Sequence, residues 1–259
     1  MTKKEKSVYN IQSVGHAFDL LEQFNGDVDE LGFTELCRRL NFPKNKVFRL
    51  LATLESRNFI ELNQATAGYR LGLKTLQMGQ TFTRQLGLLR QARPILESLS
   101  KKSEETSYVA ILKDYKAVYL DAIESEQPVR VVSRVGKMFP FYCTDVGKVI
   151  AASMDEKNLR EYLKHTELKR FTTHTISDLD EMVKQLNKIA KLGYAVDNEE
   201  RDIGVKCLGA PIRDYTKKVI GAVGISGPSV RFNSKRLKSE LIPLLKEATD
   251  ELSLRLGYC

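Results

Sequence analysis

Residues 33–71, FTELCRRLNFPKNKVFRLLATLESRNFIELNQATAGYRL, decide how this chain is read. They parse as a short helix, a tight turn, a second helix and a hairpin. The second helix is expected to open at Pro43, and its apolar residues recur as Val47, Leu50, Leu51 and Leu54. That i, i+3, i+4, i+7 spacing gathers all four on one face. At about 100° per residue, Asn45 and Arg49 then point away from the seam, with Lys46 and Phe48 on its flanks. From Leu36 through Leu54 there is no acidic residue, whereas Arg38, Arg39, Lys44, Lys46 and Arg49 all fall inside. A short helix with a buried aliphatic seam and a basic, amide-bearing outer face suits the major groove of duplex DNA.

The flanking residues complete a winged helix-turn-helix. Ile11, Val14, Phe18, Leu21 and Phe24 fall at helical intervals, and Asn25-Gly26-Asp27 ends that helix with turn chemistry. Gly32 is expected to cap the helix Phe33–Leu40, with Glu35 as a capping-box carboxylate. Asn41-Phe42-Pro43 forms the turn, Pro43 being pre-set for a first helical position. Phe59–Leu62 and Tyr69–Leu71 read as strands, and the polar segment 63–68 joins them as a wing. Arg70 is placed to meet phosphate or a minor groove. Cys37, beside Leu36 and Leu40, reads as a small buried hydrophobe. A protein-binding module with a merely solvated basic face is the competing reading. The order helix, helix, turn, basic helix, hairpin favours DNA.

Composition sets the outer bounds. A chain of 259 residues has room for about two domains. A hydrophobic content of 42% allows a packed core in each. The net charge of +8 favours a polyanionic partner, yet it divides evenly, +4 in residues 1–91 and +4 in 92–259. The local acid-free window is therefore the stronger signal. Cys37, Cys143, Cys207 and Cys259 have neither metal-ligand nor disulfide-framework spacing, so no metal or cofactor is expected. No apolar run approaches the roughly 20 residues of a membrane span, and the charged N-terminus leads into no secretory apolar core. A cytoplasmic protein without membrane contact is expected.

Past the wing, residues 73–91 read as a linker helix carrying Leu76, Phe82, Leu86 and Leu89, separated by Pro94 from a helix with Ile95, Leu96 and Leu99. These apolar residues exceed what one helix buries alone, so pairing with the same segment of another subunit is expected. Self-association also fits DNA readers that use two half-sites about one helical turn apart.

From Thr106 the pattern becomes strand-like at 107–112, 117–122 and 129–135, with Lys113-Asp114-Tyr115-Lys116 as a hairpin turn. Helices are expected at 147–154, 156–163 and 179–191. Strands return at 207–212 and 219–225, and a last amphipathic helix runs over 235–256. Strands grouped at both ends of a helical middle predict an α+β domain, an antiparallel sheet with helices on its faces.

Several separate motifs, in order, resemble the IclR family of bacterial transcription regulators. They are Ile11-Gln-Ser-Val with Phe18-Asp-Leu-Leu-Glu, the stretch Phe42 to Leu51, Val146-Gly147-Lys148-Val149-Ile150-Ala151, Gly193-Tyr194-Ala195-Val196-Asp197-Asn198-Glu199-Glu200, Gly204 to Ile212, and Gly221 to Pro228. The resemblance spans about Ile11 to Leu256. It implies a winged helix-turn-helix head (1–72), a linker helix (73–91) and a GAF-like effector-binding and oligomerisation domain (92–259). It also implies a homodimer or homotetramer on operator DNA, with a small organic acid or aromatic metabolite as effector. The pocket would lie at Tyr142, Asp145, Val146, Gly147, Asp197, Cys207, Gly224 and Ser226. Amides at the start of the helix beginning near Val146 can receive a carboxylate. Two positions depart from the family pattern: Asp145 replaces a small residue, and Gly224 replaces a common serine. An anionic ligand close to Asp145 would be repelled, so the effector is expected to be neutral, cationic or bound differently. Gly15-His16-Ala17 stands where an arginine is common, so the phosphate contact such an arginine could make is not carried over to this chain.

Each pocket residue also has a plain structural reading. Cys207 is equally a packing cysteine, Asp197 a turn cap, Glu200 an ion-pair partner, and Gly147 and Gly193 backbone necessities. His16, His165 and His174 read as surface residues. At the DNA, Asn45, Lys46 and Arg49 are the candidates for base edges, and Lys44, Arg38, Arg39 and Arg70 for phosphates. An enzyme with Cys207 as nucleophile is the alternative from another class. It finds no histidine between Gly193 and Ser226, no Gly-x-Ser-x-Gly and no phosphate loop. A pure protein-interaction adaptor is the third reading, and it predicts no salt-dependent DNA binding.

Overall fold

The computed structural model describes residues 10–25, 28–85 and 87–258. The turn residues Gly26 and Asp27, together with Leu86 and Cys259, lie outside the described residues. Two compact units divide the chain, Met1–Gln85 and Leu86–Cys259.

In the first unit, α1 (Gln12–Leu21) continues into a 3-10 turn, Glu22–Phe24. β1 (Leu31–Gly32), α2 (Phe33–Leu40), α3 (Lys44–Ser56), β2 (Ile60–Leu62), β3 (Gly68–Leu71) and α4 (Leu73–Gln85) follow. Leu20, Phe24, Leu36, Val47, Leu51, Leu54 and Ile60 form the core, so the predicted seam of α3 is the buried one, with Leu50 at its margin. The hairpin is a three-stranded sheet, because Leu31-Gly32 pairs with Tyr69-Gly68. Two local expectations give way. Pro43 is the extended N-cap of α3 (ψ 143°), so the helix itself starts at Lys44. Glu35 does not close a capping box on Gly32, because Arg38 and Arg39 claim its carboxylate instead.

In the second unit, α5 (Gly87–Ser103) runs through Pro94 without ending there. Pro94 lies on the exposed side of α5 while Ile95, Leu96 and Leu99 are buried, so the proline ring does not intrude on the packed face. β4 (Thr106–Lys113) and β5 (Lys116–Ile123) form the expected hairpin, Asp114 and Tyr115 both taking left-handed φ (48° and 64°). β6 (Met138–Pro140), α6 (Asp145–Ala151), α7 (Glu156–Lys164), α8 (Leu179–Leu192), β7 (Ala195–Asn198), β8 (Val205–Arg213) and β9 (Val219–Pro228) follow. The C-terminal helix has a short start at Ser234–Arg236 and a π-helical turn at Leu237–Leu241. It continues as α-helix over Ile242–Arg255.

The sheet order is β6-β5-β4-β9-β8-β7, with every pairing antiparallel. Its two faces follow from strand periodicity. Val109, Leu208, Ala210, Val223 and Ile225 join α5 and the C-terminal helix in one core. Tyr108, Ala110 and Ala222 pack with α6 and α8 in the other. Residues 129–135 are not the strand their valines suggested. Their backbone is held by side chains: Thr106 Oγ1 donates to Val131 O (2.6 Å), Arg231 Nη1 donates to Val129 O (2.9 Å), and Ser133 N donates to Glu124 Oε1 (2.9 Å). The edge of β5 is taken by β6 instead.

Candidate functional site

Two sites follow, one in each unit. On the first, Lys44, Asn45 and Arg49 stand exposed on α3, and Phe48 is 62% exposed beside them. Lys46 does not stand out with them. Its Nζ lies 3.6 Å from the centre of the Phe42 ring and 3.1 Å from His16 Nε2, so the flank of α3 folds back toward α1 and the turn. His16 is correspondingly half-buried, whereas His165 and His174 are exposed. Arg38 and Arg39 sit on α2, both bonded to Glu35 at 2.7 Å, and they hold its carboxyl down to about 2. Glu35 is the residue just before the acid-free window, and its i+3 and i+4 spacing to the two arginines was the available signal. Arg70 pairs with Glu61 across the hairpin at 2.6 Å, with both side chains exposed.

In the second unit, strand register assembles a row of chemistry on the α6 face. Asp197, Cys207, Ser226 and Thr106 are consecutive partners across β7, β8, β9 and β4. The adjacent row runs Ala195, Gly209, Gly224, Tyr108 and Ala122. Beside these rows lies a small, partly open cavity of about 10 Å³, room for about one water. Cys207, Ser226, Tyr108, Tyr119 and Arg134 supply its polar and polarisable lining, and Thr106, Ala122, Val131 and Val132 the rest. Arg134 is held by Asp202 at 2.7 Å. Of the residues singled out in the sequence, Cys207 and Ser226 line this cavity. Tyr108, Tyr119 and Arg134 carry no signal of this role in the sequence, because each lies in a segment whose spacing reports only a strand.

The start of α6 lies against the glycine row. Thr144 caps it, its Oγ1 accepting from Gly147 N at 3.2 Å, and a Cβ on Gly147 would come within 2.5 Å of the Phe141 backbone. Val146 is fully buried in the core, and a Cβ on Gly209 would sit 3.0 Å from its nitrogen. Tyr142 turns elsewhere, donating to Lys169 O at 3.0 Å and stacking on Phe171. Asp145 is fully buried. Tyr108 Oη donates to its Oδ2 at 2.8 Å, and its Oδ1 is left without a well-formed hydrogen bond. Burial pushes the Asp145 carboxyl up to about 6 against the pull of Tyr108, the Val146 amide and Lys148. Burial likewise carries Asp197 to about 7, with Lys148 opposing and Glu200 adding to the shift. Cys207 is pushed well above the usual thiol range by burial and by the carboxylates of Asp197 and Asp145. Lys148, fully buried, donates to Val196 O (2.8 Å) and Glu200 Oε1 (2.5 Å). Among the described residues no cluster of three or more His, Cys, Asp or Glu could hold a metal ion, and no helix is long and apolar enough to cross a membrane.

A family model for the IclR helix-turn-helix domain matches residues 13–64. A second, for the bacterial transcriptional regulator IclR C-terminal domain, matches residues 80–254. The chain belongs to the IclR family of bacterial transcriptional regulators. It is 32% identical over 254 residues to the HTH-type transcriptional regulator KdgR of Dickeya chrysanthemi, covering 98% of this chain and 83% of that one. The Thermotoga maritima IclR crystal structure superimposes with a TM-score of 0.81 at 32% identity, covering 96% of this chain and all of that one. An IclR homolog from Microbacterium hydrocarbonoxydans, solved in complex with 4-hydroxybenzoate, shares the fold (TM-score 0.84, 20% identity, covering 94% and 98%). The two sites thus fall in the two IclR modules, the helix-turn-helix and the C-terminal domain.

Proposed function

We propose that this IclR-family regulator grips operator DNA through the outer face of α3 and changes its grip when a small effector occupies the cavity beside Cys207. The observation that carries the DNA half is the exposed trio Lys44, Asn45 and Arg49 on a helix whose opposite side is core. Asn45 and Arg49 take the base edges. Lys44 takes phosphate, joined by Arg38, Arg39 and Arg70 once they exchange their carboxylates for phosphates. Lys46 reaches a base edge only by leaving Phe42 and His16. Residues 1–72 serve as the reading head, 73–91 as the linker and 92–259 as the effector and oligomerisation domain. Leu73, Leu76 and Met78 are each more than half exposed on α4, which supports a homodimer or homotetramer. An effector shifts operator binding only if its affinity differs between the free and DNA-bound arrangements. In the cavity, Tyr108, Cys207 and Ser226 are the residues that an effector answers to, with Asp145 behind Tyr108 and Asp197 beside Cys207. Gly224, Gly147 and Val146 shape the site from below, and Tyr142 supports it from a distance.

The protein is not an enzyme in this reading. A buried thiol between two carboxylates, held well above the usual range, is the reverse of an activated nucleophile. The test is titration of the full chain on genomic and random duplexes over a salt series, repeated after a thermal-shift screen for effectors. A ligand at 100 times its dissociation constant adds about 2.7 kcal/mol. Salt-independent or absent DNA binding rejects the regulator reading, and consumption of a bound ligand restores the enzyme.

A further inference from the structure

The charged end of the cavity carries a selectivity of its own. Tyr108 lines the cavity, and its hydroxyl proton is committed to Asp145 Oδ2 at 2.8 Å. What Tyr108 Oη can still offer a ligand is a lone pair, in competition with the Cys207 thiol, which is also within hydrogen-bond reach of it. Behind it stands a fully buried carboxylate whose Oδ1 is left without a well-formed hydrogen bond, the pull of the nearby Val146 amide notwithstanding. Unsatisfied buried acceptors are uncommon and costly, so this corner is one hydrogen-bond donor short. The short supply is built in by the fold. Gly224 and Gly209 stand where a side chain would collide with the pair: a Cβ on Gly224 would lie 2.3 Å from the Tyr108 ring and 2.6 Å from Asp145 Oδ2, and one on Gly209 would lie 2.7 Å from the same oxygen. The amide of Gly147, the helix-start donor that a ligand carboxylate would seek, already binds Thr144 Oγ1. Arg134, the cavity's cation, is already paired with Asp202.

We infer that the Tyr108–Asp145 pair sets the specificity of the cavity: it selects an effector presenting a hydroxyl or ammonium donor at this end and rejects a carboxylate there. The inference rests on the reading of the cavity as an effector site, and it names the class of group that site recognises. The two departures from the family pattern, Asp145 and Gly224, are then one device. The carboxylate supplies the acceptor, and the glycine leaves room for it and for the ring that carries it to the cavity.

Two probe sets with a single polar group each test this on the full chain: benzoate, benzyl alcohol and benzylamine, and propionate, propan-1-ol and propylamine. Dissociation constants are read by NMR titration for the wild type, Asp145→Asn, Asp145→Gly and Tyr108→Phe. The near-isosteric Asn and Phe variants guard against loss of the fold. In the wild type the alcohol or the amine should bind about tenfold more tightly than the matched acid, the size of one hydrogen bond to a charged group. Asp145→Asn and Tyr108→Phe should erase most of that ratio, and Asp145→Gly should turn it toward the acid. If benzoate or propionate binds the wild type as tightly as its partners, the assignment is overturned while the effector reading stands. The same holds if the ratio is unchanged in Asp145→Gly. If no probe of either set binds any of the four proteins, the effector reading of this cavity fails and the inference falls with it.

Discussion

Gly224 and Tyr108 are direct partners across β9 and β4, and the ring of Tyr108 occupies the space that a side chain at 224 would need. A serine at that position therefore has to displace the ring or the Asp145 carboxylate beneath it. Gly224→Ser is expected to cost about 1–3 kcal/mol, the range for overpacking a filled core. Urea unfolding of the full chain measures it. Adding Asp145→Gly to the same chain should recover part of the loss, and two independent, additive effects would show that the residues do not share the space.

Asp145 and Asp197 make stability depend on pH in a particular sense. Unfolded, both titrate near 3.9. Burial holds them at about 6 and about 7 in the fold. Between those values the folded chain keeps protons that the unfolded chain has released, so this contribution is whole below about pH 4 and is lost as pH rises through about 6 to 7. For Asp145 it amounts to something on the order of 2–3 kcal/mol. The unfolding free energy of the wild type minus that of Asp145→Asn should fall from pH 4.5 to 8, and a difference that is flat or rises contradicts the buried acid.

Much of this was legible from residue spacing. The seam of α3 needed only Val47, Leu51 and Leu54, because a helix repeats every 3.6 residues whatever surrounds it. The β4–β5 hairpin was legible from four polar residues between apolar runs. Residues 129–135 depart from a strand although valine favours one, because side chains of Thr106, Glu124 and Arg231 hold their backbone, while β6 takes the edge of β5 at Lys116–Val118. Pro94 was misread as a break because its cost depends on which side of the helix it faces. Within the site, Cys207 and Ser226 were visible through family motifs. Tyr108 was not, since its role depends on facing Gly224 from a strand more than 100 residues away in the chain. Register across a sheet is a tertiary fact that spacing along one strand does not encode.

Lys148 and Glu200 form a fully buried ion pair in which Glu200 Oε2 already lacks a partner. Lys148→Met strands that carboxylate, and the expected cost is about 3–5 kcal/mol. Replacing both residues, Lys148→Met with Glu200→Leu, should recover most of it, because the burden is the uncompensated charge and not the lost packing. A double variant as unstable as the single one would place the cost in packing.

On DNA, Arg49→Ala should lose about 1–3 kcal/mol on the operator and far less on random duplex, as expected for a bidentate base contact. Lys44→Ala should weaken both equally and flatten the salt slope by about one unit. Parallel titrations decide between the roles, and equal losses on both duplexes for both variants would remove base reading from α3.

Glu35 restrains the basic surface of α2. It holds Arg38 and Arg39 together, and at an exposed site such pairs contribute little to stability. Its larger effect is on what the two arginines offer to a phosphate. Glu35→Gln removes the negative charge and frees both guanidiniums without touching α3. The variant should bind every duplex more tightly than the wild type, operator and random alike. Its dependence on salt should steepen by about 0.9 for each phosphate newly contacted. Its specificity ratio should stay unchanged, since neither arginine is assigned to a base. A tighter but more specific variant would move Arg38 or Arg39 into the base-reading group. Unchanged affinity and slope would mean that α2 does not face the phosphate backbone, leaving contact to α3 and the wing.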